Sequence, residues 1–481
     1  MSDTITTPVG EADDRTQPSG LSPLPLLALS LGYFLVMLDV TVVTVAAPTV
    51  QDSLHVDASG LQWIVDGYST VFAGLLLLGG GLGDRLGHRR IFVTGLVIFM
   101  VASLCCGVAT TAGVLVAGRL LQGVGAAFLV PTSLALLRVA YPDRASRARA
   151  FGIWAGVSAV AFAAGPVVGG LLVWGLNWSA VFWLNIPITI VAMILTLRFV
   201  PAPSGGTGGG RMDPAGQVLG VVGLLALAGA LNQAGSAGWG SRTVVGAFVL
   251  GALALLAFLI VERRLEAGHR VDVTRRAPLL APSLFGHLGF AATAAIGVLL
   301  NLGYYGMLYL STLYLQQARG YDVLGAGLAL LPSVCMALVA APLSGRVTAR
   351  VGPFLPMTLA LFLGAAGFLG WLFAGPHTPY WYVVFALVAT GIATPTTVPA
   401  ATAAIMETAP AEAAGVASAV FNIARQIGNA VGVALFGTIA AVAGNLVTGV
   451  HIAAVIAAVA FTIGALLALL AGRAAKAGAP A

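Results

Sequence analysis

The chain alternates between long apolar runs and short polar breaks. Apolar runs recur at 26–48, 61–80, 91–110, 114–137, 151–173, 181–199, 215–235, 243–262, 289–314, 324–344, 355–374, 380–405, 413–438 and 451–472. Each is near the length that an α-helix needs to cross about 30 Å of hydrocarbon. The runs are continuously apolar rather than alternating, so they predict helices and not strands. Fourteen spans is an even number, which puts both termini on one side. Twelve spans remain the alternative if 215–262 is re-entrant. Residues 1–24 are polar and acidic, and rich in Thr, Ser and Pro. They lack a basic segment leading into a short apolar one, so they predict a disordered tail and not a signal peptide.

Charge sharpens this into a topology. Only 8% of the 481 residues are Asp, Glu, Lys or Arg, and 59% are hydrophobic. A soluble domain carries about 25% charged residues. Mean hydropathy is +0.97. The chain therefore reads as an integral membrane protein. With the N-terminus inside, 19 of the 23 basic residues fall in inside segments. Arg242 and Arg319 lie outside, and Arg119 and Arg425 lie within spans. That asymmetry is the positive-inside pattern, with both termini cytoplasmic and the cytoplasmic membrane as location. Trp63, Trp174, Trp178, Trp183, Trp239, Trp371 and Trp381 fall near the outer interface, as an aromatic belt would. The net charge of +6 is too sparse for a nucleic-acid footprint. Cys105, Cys106 and Cys335 have neither disulfide-framework nor metal-site spacing.

An internal repeat divides the chain. Gly80-Gly81-Leu82-Gly83-Asp84-Arg85-Leu86-Gly87 follows span 2, and Gly345-Arg346-Val347-Thr348-Ala349-Arg350-Val351-Gly352 follows span 10. The outer glycines and one arginine align at an offset of 265 residues. This predicts a six-helix bundle at 25–200, a linker with two inserted spans at 201–282, a second six-helix bundle at 283–474 and a tail at 475–481. Paired repeats are a common plan of secondary transporters, with the substrate site between bundles.

Candidate chemistry is confined to a few residues. The only lysine, Lys476, precedes Ala477, so no phosphate-cradling Gly-x-x-x-x-Gly-Lys-Ser/Thr loop exists. The chain reads as a transporter driven by an ion gradient, not an enzyme, and needs no cofactor or metal. An ionisable group at a helix centre costs roughly 2.5–3.5 kcal/mol on insertion scales, so each one points to function. Four lie within spans away from their ends: Asp39, Asp66, Arg119 and Arg425. Desolvation favours a neutral carboxyl, while a nearby guanidinium favours the carboxylate. A carboxyl that alternates between such surroundings takes up and releases protons. Asp39 with Arg119, and Asp66 nearer the outer surface, are the proton-coupling candidates; a fixed helix-stapling pair is the structural alternative.

Several segments together resemble one family. Leu38-Asp39-Val40-Thr41-Val42-Val43-Thr44-Val45-Ala46-Ala47-Pro48 resembles the span-1 motif of major facilitator superfamily drug:proton antiporters. Gly80 to Arg90 is similar to the superfamily's loop 2–3 motif. Leu115, Arg119, Gln122, Gly123, Gly125 and Ala126 match its span-4 motif. Gly165-Pro166-Val167-Val168-Gly169-Gly170 resembles the span-5 antiporter motif. Gln62 to Tyr68, and Asn422, Arg425, Gln426 and Gly428, resemble patterns of the fourteen-span branch. Thr44 stands where the family usually has Asn, Ala161 where it has Gly, and His88 where it has a basic residue.

The resemblance implies an all-α major facilitator fold of fourteen spans, monomeric in the bilayer. It also implies proton-coupled export of a drug or antibiotic by alternating access. The chain also resembles antibiotic self-resistance exporters of actinomycetes, of the lincomycin, methylenomycin or puromycin kind. The roles follow residue by residue. Arg119 would exchange protons with Asp39. Gly80, Asp84, Arg85, Gly87, Arg89 and Arg90 would form the loop 2–3 gate, with Asp84 and Arg85 latching the bundles. Gly165, Pro166, Gly169 and Gly170 would allow a close helix approach and a bend. The second bundle has no deep carboxylate, which suggests a neutral or singly basic substrate. A metabolite importer on the same fold is the rival reading, since fold does not fix function.

Overall fold

A computed structural model describes residues 23–56, 58–201, 213–271, 278–321 and 323–477. The tail expected at 1–24 and the Gly-rich linker therefore lie largely outside the described residues. The described residues form helices and connecting turns, with no strand. The first bundle contains α1 (Pro23–Leu54), α2 (Ala58–Leu86), α3 (His88–Gly107), α4 (Ala112–Ala140), α5 (Arg144–Gly175), α6 (Ala180–Trp183) and α7 (Asn185–Phe199). An inserted pair follows, α8 (Pro214–Ala237) and α9 (Arg242–Val271). The second bundle contains α10 (Leu288–Leu313), α11 (Val323–Val351), α12 (Phe354–Gly370), α13 (Tyr380–Thr408), α14 (Ala414–Val442) and α15 (Leu446–Lys476).

Thirteen helical stretches are long and apolar enough to cross a membrane, with α6 and α7 together making one of them. The fourteenth is α5, whose halves Arg144–Phe162 and Val167–Gly175 are bent by about 40°. The helices outrun the apolar runs that announce them. Span 1, expected at 26–48, runs to Leu54, and α5 begins at Arg144 rather than near 151. Arg147 and Arg149 therefore sit on a helical turn, not in a loop. Intrahelical hydrogen bonding continues past the end of the apolar stretch because the helix satisfies its own backbone.

Aliphatic side chains line the outside of the helices. Val245, Val249, Leu253, Leu256 and Ile260 of α9 are all exposed, as a lipid-facing helix requires. Of the seven tryptophans expected in a belt, Trp178 and Trp371 are instead buried. Trp178 meets Phe182 edge-on at 6.3 Å and Trp371 meets Tyr314 at 5.7 Å, so packing claims them.

The sequence repeat is visible as two equivalent crossings between bundles. α2 packs on α14, and α11 packs on α5. At the first crossing Gly80 faces Gly415; a β-carbon at Gly415 would stand 2.5 Å from the Gly80 carbonyl oxygen. At the second, Gly345, which is Gly80's repeat mate, faces Gly152; a β-carbon at Gly345 would stand 2.7 Å from the Ala148 carbonyl oxygen. Only glycine lets these backbones approach so closely. Both repeats then end on a left-handed glycine, Gly87 (φ 96°) and Gly352 (φ 81°). α8 lies across the α2–α14 seam and packs on both helices.

Valine at Gly345 should lower the melting temperature of the purified protein, by the equivalent of roughly 1–3 kcal/mol for an overpacked contact. Alanine at Gly246, whose added β-carbon would meet nothing within 4 Å, should leave it unchanged. Equal melting temperatures for the two variants would refute the close crossing.

Candidate functional site

Asp39, on α1, is buried inside the first bundle, 2% exposed. Its carboxylate is fully partnered. Oδ2 accepts from Arg119 Nη1 of α4. Oδ1 accepts from Gln122 Nε2 of α4 at 3.1 Å and from Asn185 Nδ2 of α7 at 2.8 Å. Gln122 Oε1 accepts in turn from Arg119 Nη1 at 2.8 Å. Ser103 Oγ of α3 accepts from Gln122 at 2.9 Å and Asn185 at 3.4 Å. Arg119 Nε donates to the Ile64 carbonyl of α2 at 2.9 Å, and the guanidinium stacks over the Tyr68 ring at 4.5 Å. Five helices thus meet on one ion pair. The sequence pattern brings Asp39, Arg119 and Gln122 forward but not Asn185 or Ser103. Asn185 was readable as a lone amide inside an apolar run; a single serine in such a run carries no signal.

Asp66 does not join this network. It lines a cleft of about 540 Å³ between α2, α8 and α14, with Ser69, Asn232, Trp239, Gln426 and Asn429. Polar bonds hold the inserted pair against this cleft. Gln62 Nε2 donates to the Asn232 carbonyl at 3.2 Å, Asn232 Nδ2 to Thr70 Oγ1 at 2.7 Å, and Trp239 Nε1 to Thr438 Oγ1 at 2.8 Å. Ser69, Gln426 and Asn429 also line a smaller cavity of about 80 Å³ at the centre of the molecule. A second central cavity of about 90 Å³ shares Tyr33, Met37, Phe162, Tyr305 and Arg425 with it. The span-13 residues Asn422, Arg425 and Gln426 therefore all face the centre. Tyr68 forms part of the central wall, and its other side covers Arg119.

At the basic end of the molecule the bundles are shut. Asp84 accepts from the backbone N–H groups of Gly415 at 2.8 Å and Val416 at 2.9 Å. The latch is thus a carboxylate on the N-terminus of α14, where free N–H groups and the helix dipole favour an anion. The partner of Asp84 across the bundles is thus backbone. Arg85 and Arg138 act electrostatically on Asp84, and His88 Nε2 lies 3.3 Å from it. Arg138 Nη1 donates to the carbonyls of Ala409 at 3.2 Å and Pro410 at 3.3 Å. Arg144 pairs with Glu407 through two bonds of 2.9 and 3.1 Å. All three ties grip the turn between α13 and α14. Arg89 stays within its own bundle, donating to the Leu197 carbonyl at the end of α7, and Arg90 is exposed. In the short loop before α5, Asp143 accepts the Ser146 N–H at 2.8 Å, which holds its carboxyl below the usual range.

The glycine motifs act in packing. β-carbons at Gly123 and Gly125 would stand 2.7 Å from the Tyr68 carbonyl and 2.9 Å from the Gly95 carbonyl. Gly165 abuts Thr41 of α1, and Gly169 lies against Val42. Gly170 faces open space. The side chain of Pro166 lies outside the described residues, while the bend of α5 falls across it.

Two acids that were not singled out as candidates are also buried. Glu262 of α9 is fully buried and accepts the Leu280 N–H at 3.1 Å. Asp213, 2% exposed, caps α8 through the Gly216 N–H at 2.9 Å. α9 runs nine residues past its expected end, and the chain before α10 folds over Glu262.

The family model described as Major Facilitator Superfamily matches residues 29–433. The chain belongs to this superfamily. It is 36% identical to a methylenomycin A resistance protein of Bacillus subtilis over 95% of this chain and 96% of that one. It is 36% identical to a puromycin resistance protein of Streptomyces alboniger over 86% of this chain and 81% of that one. The human organic anion transporter MFSD10 shares the fold, with a TM-score of 0.64, 12% identity, and coverage of 93% of this chain and 98% of that one. This major facilitator is a multi-pass membrane transporter, as the charge-poor sequence and its ordered motifs imply.

Chemically, the Asp39 network is a buried ion pair whose carboxylate accepts from three side chains. Removing one member of such a pair strands the other charge in low dielectric, at a cost of roughly 3–5 kcal/mol. Arg119→Leu should therefore destabilise the protein strongly in chemical unfolding. Adding Asp39→Asn to it should restore part of the loss, because no charge is then left alone. Additive losses in this double-mutant cycle would show that the pair is not coupled. Asn185→Ala removes one charge-assisted donor and should cost about 1.5–3 kcal/mol.

Proposed function

We propose that this protein exports a drug or antibiotic in exchange for protons and so confers resistance. The export runs across the cytoplasmic membrane by alternating access, with both termini in the cytoplasm. The observation that carries the reading is the buried Asp39–Arg119 pair, walled from the central cavities by Tyr68. The printed activities of the methylenomycin and puromycin relatives support the direction and the class of cargo. The basic end is the cytoplasmic one, and its three ties make this the conformation closed to the cytoplasm. The Asp66 cleft then faces outward, and Asp66 is the first carboxylate a proton meets from that side.

Protonation of Asp39 leaves Arg119 with no counter-charge. The helices that supply the network, α1, α3, α4 and α7, must then shift to give the guanidinium other partners. That shift drives the return to the inward-open form. Opening at the cytoplasmic end must break the Asp84, Arg138 and Arg144 ties, each of which is paired in this closed form. The proton gradient is the energy source, and no cofactor enters the cycle. One proton moving down 100 mV yields about 2.3 kcal/mol. At about 1.4 kcal/mol per tenfold ratio, that sustains roughly a 40-fold gradient of a neutral compound. The protein works as a monomer, since one chain supplies both bundles and the cavity between them.

Energised inverted vesicles should accumulate a cargo antibiotic and lose it on addition of an uncoupler. Asp39→Asn should abolish the accumulation while leaving the protein in the membrane. Accumulation that survives both would overturn proton coupling. Asp84→Ala should raise the labelling of cysteines placed at the cytoplasmic end of α14 several-fold, by removing the carboxylate that holds that helix. Labelling unchanged from wild type would mean that Asp84 does not hold the gate shut.

A further inference from the structure

The central cavities hold one charged side chain among the described residues, Arg425. Unlike Arg119, it has no carboxylate partner. Nη1 donates to the Tyr33 hydroxyl at 3.3 Å, and the guanidinium lies 5.9 Å from the Phe421 ring. Its Nε is buried without a hydrogen-bond partner, and so is Oδ1 of Asn301, which lines the same cavity. A guanidinium carries five N–H donors, and here one is committed. The backbone around it is already fixed, because Asn301 Nδ2 donates to the Arg425 carbonyl at 2.9 Å. A charged donor fork buried among neutral side chains is costly unless an anion meets it.

We propose that Arg425 receives an oxyanion of the cargo, foremost a carboxylate, carried on an apolar or aromatic body. This deepens the export reading and rests on it. The fork geometry suits bidentate recognition of a carboxylate. Phe162, Tyr304 and Tyr305 supply aromatic surface for the body, and Tyr33 and Asn301 supply polar partners beside the anion. A singly basic cargo, the alternative suggested by the missing deep carboxylate in the second bundle, would face the guanidinium with no acid in either central cavity to balance it. An anionic cargo also suits the energetics. Exchange of one proton inward for one monoanion outward moves two elementary charges down an inside-negative potential, so the potential drives export directly.

The test is equilibrium binding to the full-length protein in lipid nanodiscs, with no gradient, of three probes sharing one body: naphthylacetate, naphthylacetamide and naphthylethylamine. The wild type should bind the carboxylate about tenfold or more tighter than the amide, as a charge-assisted contact implies, and the amine weakest. Arg425→Gln should erase the preference and leave the amide's affinity unchanged; Arg425→Lys should keep part of it. If Arg425→Gln does not fold, Arg425→Lys and Tyr33→Phe carry the comparison, each with a reduced carboxylate preference. Equal affinity for all three probes would overturn the proposal. So would failure of the carboxylate to bind at millimolar concentration, or a parallel loss for all probes in the Arg425 variants. Asp39→Asn should retain the preference, so a failure of proton coupling and a failure of anion recognition give different results.

Discussion

An ion pair sealed in an apolar bundle constrains everything around it. Neither Asp39 nor Arg119 has water to fall back on, so each donor and acceptor must be met by protein. Asn185, Gln122, Ser103 and the Ile64 carbonyl meet them, and each comes from a defined position on a different helix. The network thereby ties five helices of the first bundle to one another. A group that changes charge at such a place changes which arrangement is stable. Tyr68 gives the pair a route to the rest of the molecule, because its ring touches the guanidinium on one side and the central cavity on the other.

The two bundles share a plan but not a chemistry. Their crossings are equivalent, with Gly80 against Gly415 and Gly345 against Gly152. The charges break the symmetry. Asp84 reaches across to the N-terminus of α14, while its repeat mate is Ala349, which has nothing to reach with. At the second crossing α5 is capped by its own Asp143. The first crossing is therefore tied by a carboxylate on a helix end, and the second has no equivalent at Ala349; there Arg144 of α5 pairs with Glu407 of α13 instead. The first bundle holds the buried acid with its own counter-ion, and the second contributes an arginine with none. The inserted pair adds a third ingredient. By lying over the α2–α14 seam, α8 completes the cleft that holds Asp66, which a plain twelve-helix plan would leave without that wall.

Much of this was legible in the linear chain. Fourteen spans follow from length and charge, because a bilayer sorts residues by those properties alone. Asp39, Asp66, Arg119 and Arg425 were also legible, since a charge inside an apolar run is too costly to be incidental. What the chain did not reveal was which charges meet. Asp39 and Arg119 pair, Asp66 stands apart in an outer cleft, and Arg425 faces the cavity without an acid, although all four look alike in sequence. Asn185 stood out only as a lone amide and Ser103 not at all, because an amide or hydroxyl in a helix says nothing about what lies opposite. Asp84 was expected to latch the bundles together with Arg85; what it holds is a helix end, whose charge belongs to the backbone and to no residue type. Glu262 and Asp213 were not singled out in the sequence; the chain before α10 folds over the first, and the second caps α8. Sequence determined which groups must avoid lipid; the packing of helices distant in the chain decided what each of those groups found instead.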